Sequence, residues 1–259
     1  MSRRSEILKE MGIAPTWFLR SQEAGADRPV VSANPAETTR SGDSQIPTQS
    51  PIGEVETEGM TPSLAREARI AAMDWAALKA AVGTCTACGL RAGCTQTVFG
   101  VGDEQADWLL VGEAPGQDED RQGEPFVGQA GKLLDGMLAS IQLKRGENVY
   151  IANVLKCRPP GNRNPAPEEV AKCAPHLLRQ VALLRPKLIL AMGRFAVQAL
   201  LKTEASIASL RGRQHQYAGV PLIVTYHPAY LLRTLPDKAK AWQDLLLAKR
   251  SMVSLKKDA

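Results

Sequence analysis

The chain has 259 residues, 44% of them hydrophobic, enough for one core domain of ordinary size with chain to spare. A formal net charge of +5 and a pI near 9.0 suit an anionic partner. No apolar run approaches the roughly 20 residues a membrane-spanning helix needs, and no apolar signal core follows the N-terminal arginines. The expected location is therefore cytoplasmic, where cysteines are read as metal ligands before disulfides.

Residues 1–19 hold an amphipathic candidate, with Ile7, Leu8, Met11 and Ile13 followed by Trp17, Phe18 and Leu19. It is either a fraying helix without a partner or a short docking helix near residues 5–19, which would give residues 1–20 a protein partner. Residues 21–63 contain no aromatic and are rich in Ser, Thr, Pro, Gly and Glu. Such a segment buries too little apolar area to offset the entropy of ordering, so 1–63 is expected to be a disordered extension and 64–259 the folded domain.

Asp74 is a reasonable N-cap for a helix beginning at Trp75, which leads into Cys85-Thr86-Ala87-Cys88. Thr97–Gly100 reads as an edge strand. Trp108–Val111 is an apolar run of the kind that makes a strand covered on both faces. It stops at Gly112-Glu113-Ala114-Pro115-Gly116, where two glycines and a proline force a tight turn. A cluster of acids (Asp118, Glu119, Asp120) and Pro125-Phe126-Val127-Gly128 follow. Leu133, Leu134, Met137, Leu138 and Ile141 then share one helical face.

Further strands are expected at Val149–Ala152, Leu188–Met192 and Pro221–Tyr226, with helices from about Pro167, over Phe195–Leu201 and over Asp237–Ser251. Pro175 is expected to kink or restart its helix. Strands alternating with helices imply a mostly parallel sheet covered on both faces. Glu113, Asn153 and His227 each sit just past the carboxyl end of a different strand, so a parallel sheet would bring them to one edge, where ligands bind in such folds. Phe126, a large aromatic in a glycine-flanked loop, either packs inward or offers a stacking face. Cys85, Cys88, Cys157 and Cys173 could meet as a four-thiolate site, and their spacing alone leaves zinc and iron–sulfur open. Cys94 has no partner in this pattern.

Three segments occur in order: GEAPGQDED through GEPFVGQAGKLLDGML (Gly112–Leu138), NVLKCRPPGNRNP (Asn153–Pro165) and HPAYLLR (His227–Arg233). Together they resemble the motifs of the family 4, iron–sulfur type uracil-DNA glycosylases, over roughly residues 75 to 250. The resemblance implies an α/β fold, a three-layer α/β/α arrangement around a central, mostly parallel four-stranded sheet. It implies a monofunctional enzyme that flips uracil out of single- or double-stranded DNA and hydrolyses its N-glycosidic bond, acting as a monomer in base-excision repair. The four cysteines match that family's ligands for a structural [4Fe–4S] cluster.

On this reading Glu113, Glu119 and His227 carry the chemistry, and Glu113, Ala114, Pro115, Phe126, Asn153 and His227 hold the base. Asn153 presents an acceptor and a donor side by side, matching the N3–H and O4 of uracil and opposing cytosine. Arg158, Arg163, Tyr230, Leu231 and Arg233 are expected to bind DNA, the apolar residues by wedging into the base stack.

Three rivals are weaker. A relative that bonds covalently to DNA through a histidine needs one in the 158–164 loop, which has none. A Rossmann enzyme needs the G-x-G-x-x-G spacing that GEAPG lacks. A silent, zinc-bearing nucleic-acid module would be colourless.

Overall fold

The computed structural model describes residues 61–257, so the expectations for residues 1–60 lie outside the described residues. Uninterrupted apolar runs give the sheet its centre: β2 (Trp108–Gly112), β3 (Val149–Asn153) and β4 (Leu188–Met192) are buried at every position. In β6 (Val220–Thr225) the last four residues are buried. These four strands run parallel in the order β3-β2-β4-β6. Two short antiparallel strands close the edges, β1 (Val101–Gly102) beside β3 and β5 (Gln214–Tyr217) beside β6.

Side chains alternate between the faces. Leu109, Val111, Ile189, Ala191, Leu222 and Val224 face one apolar layer, which includes α6 (Pro167–Leu184), α7 (Arg194–Leu201) and α8 (Ile207–Leu210). Trp108, Leu110, Leu188, Leu190 and Ile223 face the other, which includes α5 (Gln129–Ser140), α9 (Pro228–Arg233) and α10 (Lys238–Lys257). The result is the three-layer α/β/α arrangement, with two edge strands added to the expected four.

Towards the N-terminal side, α1 (Pro62–Ala72) and α2 (Trp75–Gly83) precede the short α3 (Leu90–Gly93). The Asp74 carboxylate caps α2 by accepting from the Ala77 N–H at 2.8 Å.

Several local expectations are corrected. Thr97–Gly100 is not a strand: Val98 and Phe99 are buried, and Phe99 packs edge-on against Trp75 at 6.1 Å. Helix α6 runs through Pro175 for 18 residues without a break. Proline removes one backbone donor there, but Leu177, Val181 and Leu184 still anchor the following turns in the core. The last helix reaches Lys257 rather than stopping at Ser251. No helix among the described residues is long and apolar enough to cross a membrane.

Candidate active site

Register brings the site together. Gly112 of β2 lies opposite Asn153 of β3, and beyond them Val154 N–H donates to the Gly112 carbonyl and Leu155 N–H to the Glu113 carbonyl, both at 3.0 Å. On the other side of β2, Met192 of β4 pairs with Thr225 of β6, and Gly193 N–H donates to the Thr225 carbonyl at 3.0 Å. Glu113, Asn153, Gly193 and His227 therefore emerge at one edge of the sheet and line one cleft of about 890 Å³. Asn153 is 2% exposed, and its Oδ1 has no hydrogen-bond partner. A buried acceptor without a donor costs free energy until something supplies one.

The loop after β2 is pinned by its own acids. The short helix α4 (Gln117–Gln122) carries Glu119, whose carboxylate accepts from the backbone N–H groups of Gly116 (3.1 Å), Val127 (3.1 Å) and Gly128 (3.3 Å). Asp120 is buried and accepts from the backbone and hydroxyl of Thr95 at 2.9 and 3.0 Å. Asp118 pairs with Arg121. Glu113 and Glu119 both line the cleft, and of the two it is the Glu113 carboxylate that makes no hydrogen bond or ion pair among the described residues. Burial pushes its carboxyl up to about 7, with the Arg194 guanidinium pulling the other way.

Phe126 sits at φ 57°, a left-handed conformation that costs a bulky residue energy. Two features hold it there. Arg145 donates to the carbonyls of Pro125 (2.9 Å) and Phe126 (2.8 Å), its Nε bonded to Asp135. Gly131 leaves room for the Phe126 carbonyl, which a Cβ at that position would meet at 1.8 Å. The Phe126 ring stacks against the His227 imidazole, centroids 5.4 Å apart and planes 28° from parallel.

His227 is the N-cap of α9, and its Nδ1 accepts from the Ala229 N–H at 3.1 Å. Accepting there fixes the neutral tautomer, so Nε2 carries the proton. Burial, reinforced by Arg233, lowers its pKa to about 4, against a smaller opposing effect of Glu119. Just before it, the Thr225 hydroxyl donates to the fully buried Asp244, which Arg211 neutralises at 3.0 Å. That pair braces the end of β6.

Ala114, Pro115, Arg163, Tyr230 and Arg233 also line the cleft, whereas Arg158 does not. Arg158 bonds Asn162 at 2.7 Å in the same loop. The Arg163 guanidinium pairs with Glu169, an exposed contact that a phosphate could replace. The Tyr230 hydroxyl donates to Asp237 at 2.6 Å, and its ring stacks on Tyr226. Leu231 is corrected: the helical turn of α9 carries it into the core at 1% exposure, and Leu232, at 42%, is the leucine facing out. The sequence reading missed a further part of the lining, formed by Arg194, Phe195 and residues 206–208. The signal was the end of β4 at Gly193, a fourth parallel strand stopping at the same edge.

Behind Asn153, Cys85, Cys88, Cys157 and Cys173 line one pocket with Leu90, Leu155, Lys156 and His176. Cys94 does not line it and packs instead in the apolar cluster around Cys157. Burial first, and then the thiol of Cys94, pushes the Cys157 thiol well above its usual range. Among the described residues, no three His, Cys, Asp or Glu side chains stand close enough to hold a single metal ion.

Residues 99–246 match the profile of the Uracil DNA glycosylase superfamily. A type-4 uracil-DNA glycosylase of Archaeoglobus fulgidus is 50% identical over 157 residues, 58% of this chain and 78% of that protein. One from Thermotoga maritima is 44% identical over 60% of this chain and 82% of its own length. A third, from Pyrobaculum aerophilum, is 38% identical over 68% and 93% respectively.

Proposed function

The chain belongs to the Uracil DNA glycosylase superfamily and within it to the type-4 enzymes, and from that premise we propose that it excises uracil from DNA by hydrolysis, leaving an abasic site. The observation that carries the reading is the unpartnered Oδ1 of Asn153 at the cleft, beside the ring of Phe126 and the neutral imidazole of His227. A uracil flipped out of the stack supplies the missing donor through N3–H and accepts at O4 from the Asn153 amide nitrogen. Cytosine reverses both groups and leaves Oδ1 facing an acceptor. Phe126 provides the stacking face.

As the C1′–N1 bond breaks, its electron pair leaves on the uracil and charge gathers on O2. The Nε2–H of His227 is the donor assigned to that oxygen, held in that tautomer by the Ala229 N–H that Nδ1 accepts. Donors aimed at developing charge are worth about 3–4 kcal/mol each. Glu113 orients the water that bonds to C1′, takes its proton and faces the cationic sugar. Its pKa near 7 leaves a large ionised fraction at neutral pH. Glu119 is assigned the holding of the loop rather than the chemistry, since three backbone N–H groups already occupy its oxygens. No lysine lines the cleft among the described residues, which fits hydrolysis over Schiff-base chemistry.

Cys85, Cys88, Cys157 and Cys173 are assigned to a [4Fe–4S] cluster. Zinc draws its thiolates to within about 4 Å of one another, given Zn–S bonds of about 2.3 Å. Four cysteines lining one pocket are the donor set such a cluster takes, and the match of these positions to the type-4 motifs favours it over zinc. Bound there, it would act as a cross-link holding the 158–164 loop beside the cleft. The chemistry is assigned wholly to residues 64–259. Incubation with a uracil-containing oligonucleotide followed by alkali should cut the strand at the uracil. An intact strand would overturn the reading, and a colourless, iron-free active protein would overturn the cluster.

A further inference from the structure

Lys156 is 2% exposed and stands between Asn153 of the cleft and the pocket of the four cysteines. Its Nζ donates to the backbone carbonyl of Asn153 at 2.8 Å and to Oε1 of Gln180 at 2.7 Å. Gln180 is fixed in turn, because its amide donates to the Phe99 carbonyl at 3.0 Å. The Lys156 carbonyl accepts from the Val98 N–H at 2.7 Å. The same side chain lines the pocket of the four cysteines. Burying an ammonium is costly unless its donors are met, and this position offers two carbonyl-type acceptors.

We propose that Lys156 is a positioning residue that ties the four-cysteine site to uracil recognition, fixing the Asn153 backbone from behind while facing the cysteines. The proposal rests on the reading of Asn153 as the uracil-recognising amide. Asn153 Oδ1 finds no partner within the protein, so its aim is set by the backbone that carries it and by the walls around it. The Asn153 peptide is held on one side by the β2–β3 ladder and on the other by Lys156. A displacement of about 1 Å at such a group is enough to cost 10²-fold in rate.

The test uses the full chain loaded with iron. Lys156→Met keeps the length and apolar bulk but has no donor. Single-turnover uracil excision is measured for the wild type, Lys156→Met, Asn153→Ala and the double variant, alongside iron content and affinity for free uracil. The expected result is a Lys156→Met protein with normal iron that loses about 10–10²-fold in rate and binds uracil more weakly. Both losses should largely vanish when Asn153 is already alanine, because residues acting through one another are not additive. Additive losses, or unchanged uracil affinity, would overturn the proposal. If Lys156→Met fails to fold or to take up iron, Gln180→Leu removes one of its two acceptors and enters the same cycle, with non-additivity again supporting the coupling and additivity overturning it. An inactive wild type would remove the glycosylase reading and this proposal with it, whereas an active wild type with additive losses removes the proposal alone.

Discussion

A Cβ on Gly112 would stand 2.4 Å from Oδ1 of Asn153, its register partner across the β2–β3 pair. The same atom would stand 2.5 Å from Cζ of Phe126, so the bare Cα of Gly112 is the floor on which the Asn153 amide and the Phe126 ring meet.

Gly112→Ala should therefore fold, because the atoms in the way are side-chain ends that can turn aside, but excise uracil about 10²-fold more slowly. Gly131→Ala should also lose thermal stability, because its Cβ would collide with the backbone oxygen of Phe126. Melting curves and single-turnover rates on the two variants check the contrast. A wild-type rate in Gly112→Ala would remove uracil from this spot.

Glu113 links rate to pH. With its carboxyl held up at about 7 and the ionised form active, the single-turnover rate should climb through about pH 7 and then level off. Arg194→Gln removes the cation that opposes the shift and should move the climb to higher pH. Stability runs the other way. Folded Glu113 holds its proton more tightly than the unfolded chain does, so its contribution is full below the ordinary value of 4.5 and is lost as pH rises through about 7. Glu113→Gln should flatten that part of the melting-temperature profile, and a rate that is level between about pH 6 and 8 would argue against Glu113 as the active carboxylate.

His227→Ala should lower the single-turnover rate by about 10²–10³-fold, the value of one preaimed donor, while substrate DNA binds nearly as well. Measuring rate and affinity separately decides it. Poor binding with a near-normal rate would make His227 a positioning residue and pass the leaving-group role to the backbone at Glu113–Ala114.

Arg145 touches neither the cleft nor the cysteine pocket, yet its two donors hold Phe126 in a conformation that costs about 1–3 kcal/mol. Arg145→Lys keeps the charge and loses the fork. The expected outcome is roughly a tenfold slower reaction with a lower melting temperature, from one misplaced aromatic. Rate and melting temperature both at wild-type values would mean that packing alone fixes the loop.

The sheet was legible because its four central strands are unbroken apolar runs, and Glu113, Asn153 and His227 followed once their carboxyl ends were aligned. Strand β5 was not, since Gln214-His215-Gln216-Tyr217 has no apolar pattern and is defined by its pairing with β6. The occupation of Glu119 was hidden for another reason. Two of its three donors lie eight and nine residues away, on a loop whose path no periodicity describes. Leu231 and Leu232 look alike in sequence, and only the start of α9 decides which one turns inward. Lys156 was passed over because lysine is read as surface until its partners are seen.

The strand order has a consequence for the life of the chain before it is complete. Glu113 and Asn153 lie on neighbouring strands, but His227 is delivered by β6, across β4 and more than seventy residues later. A nascent or truncated chain that stops short of residue 227 lacks the imidazole and also α9 and α10, whose Leu231, Ala241 and Leu245 share an apolar cluster with Phe126. The segment that brings the imidazole is thus the one that finishes the packing of the ring it stacks on, so ring and imidazole take their places together and not in turn.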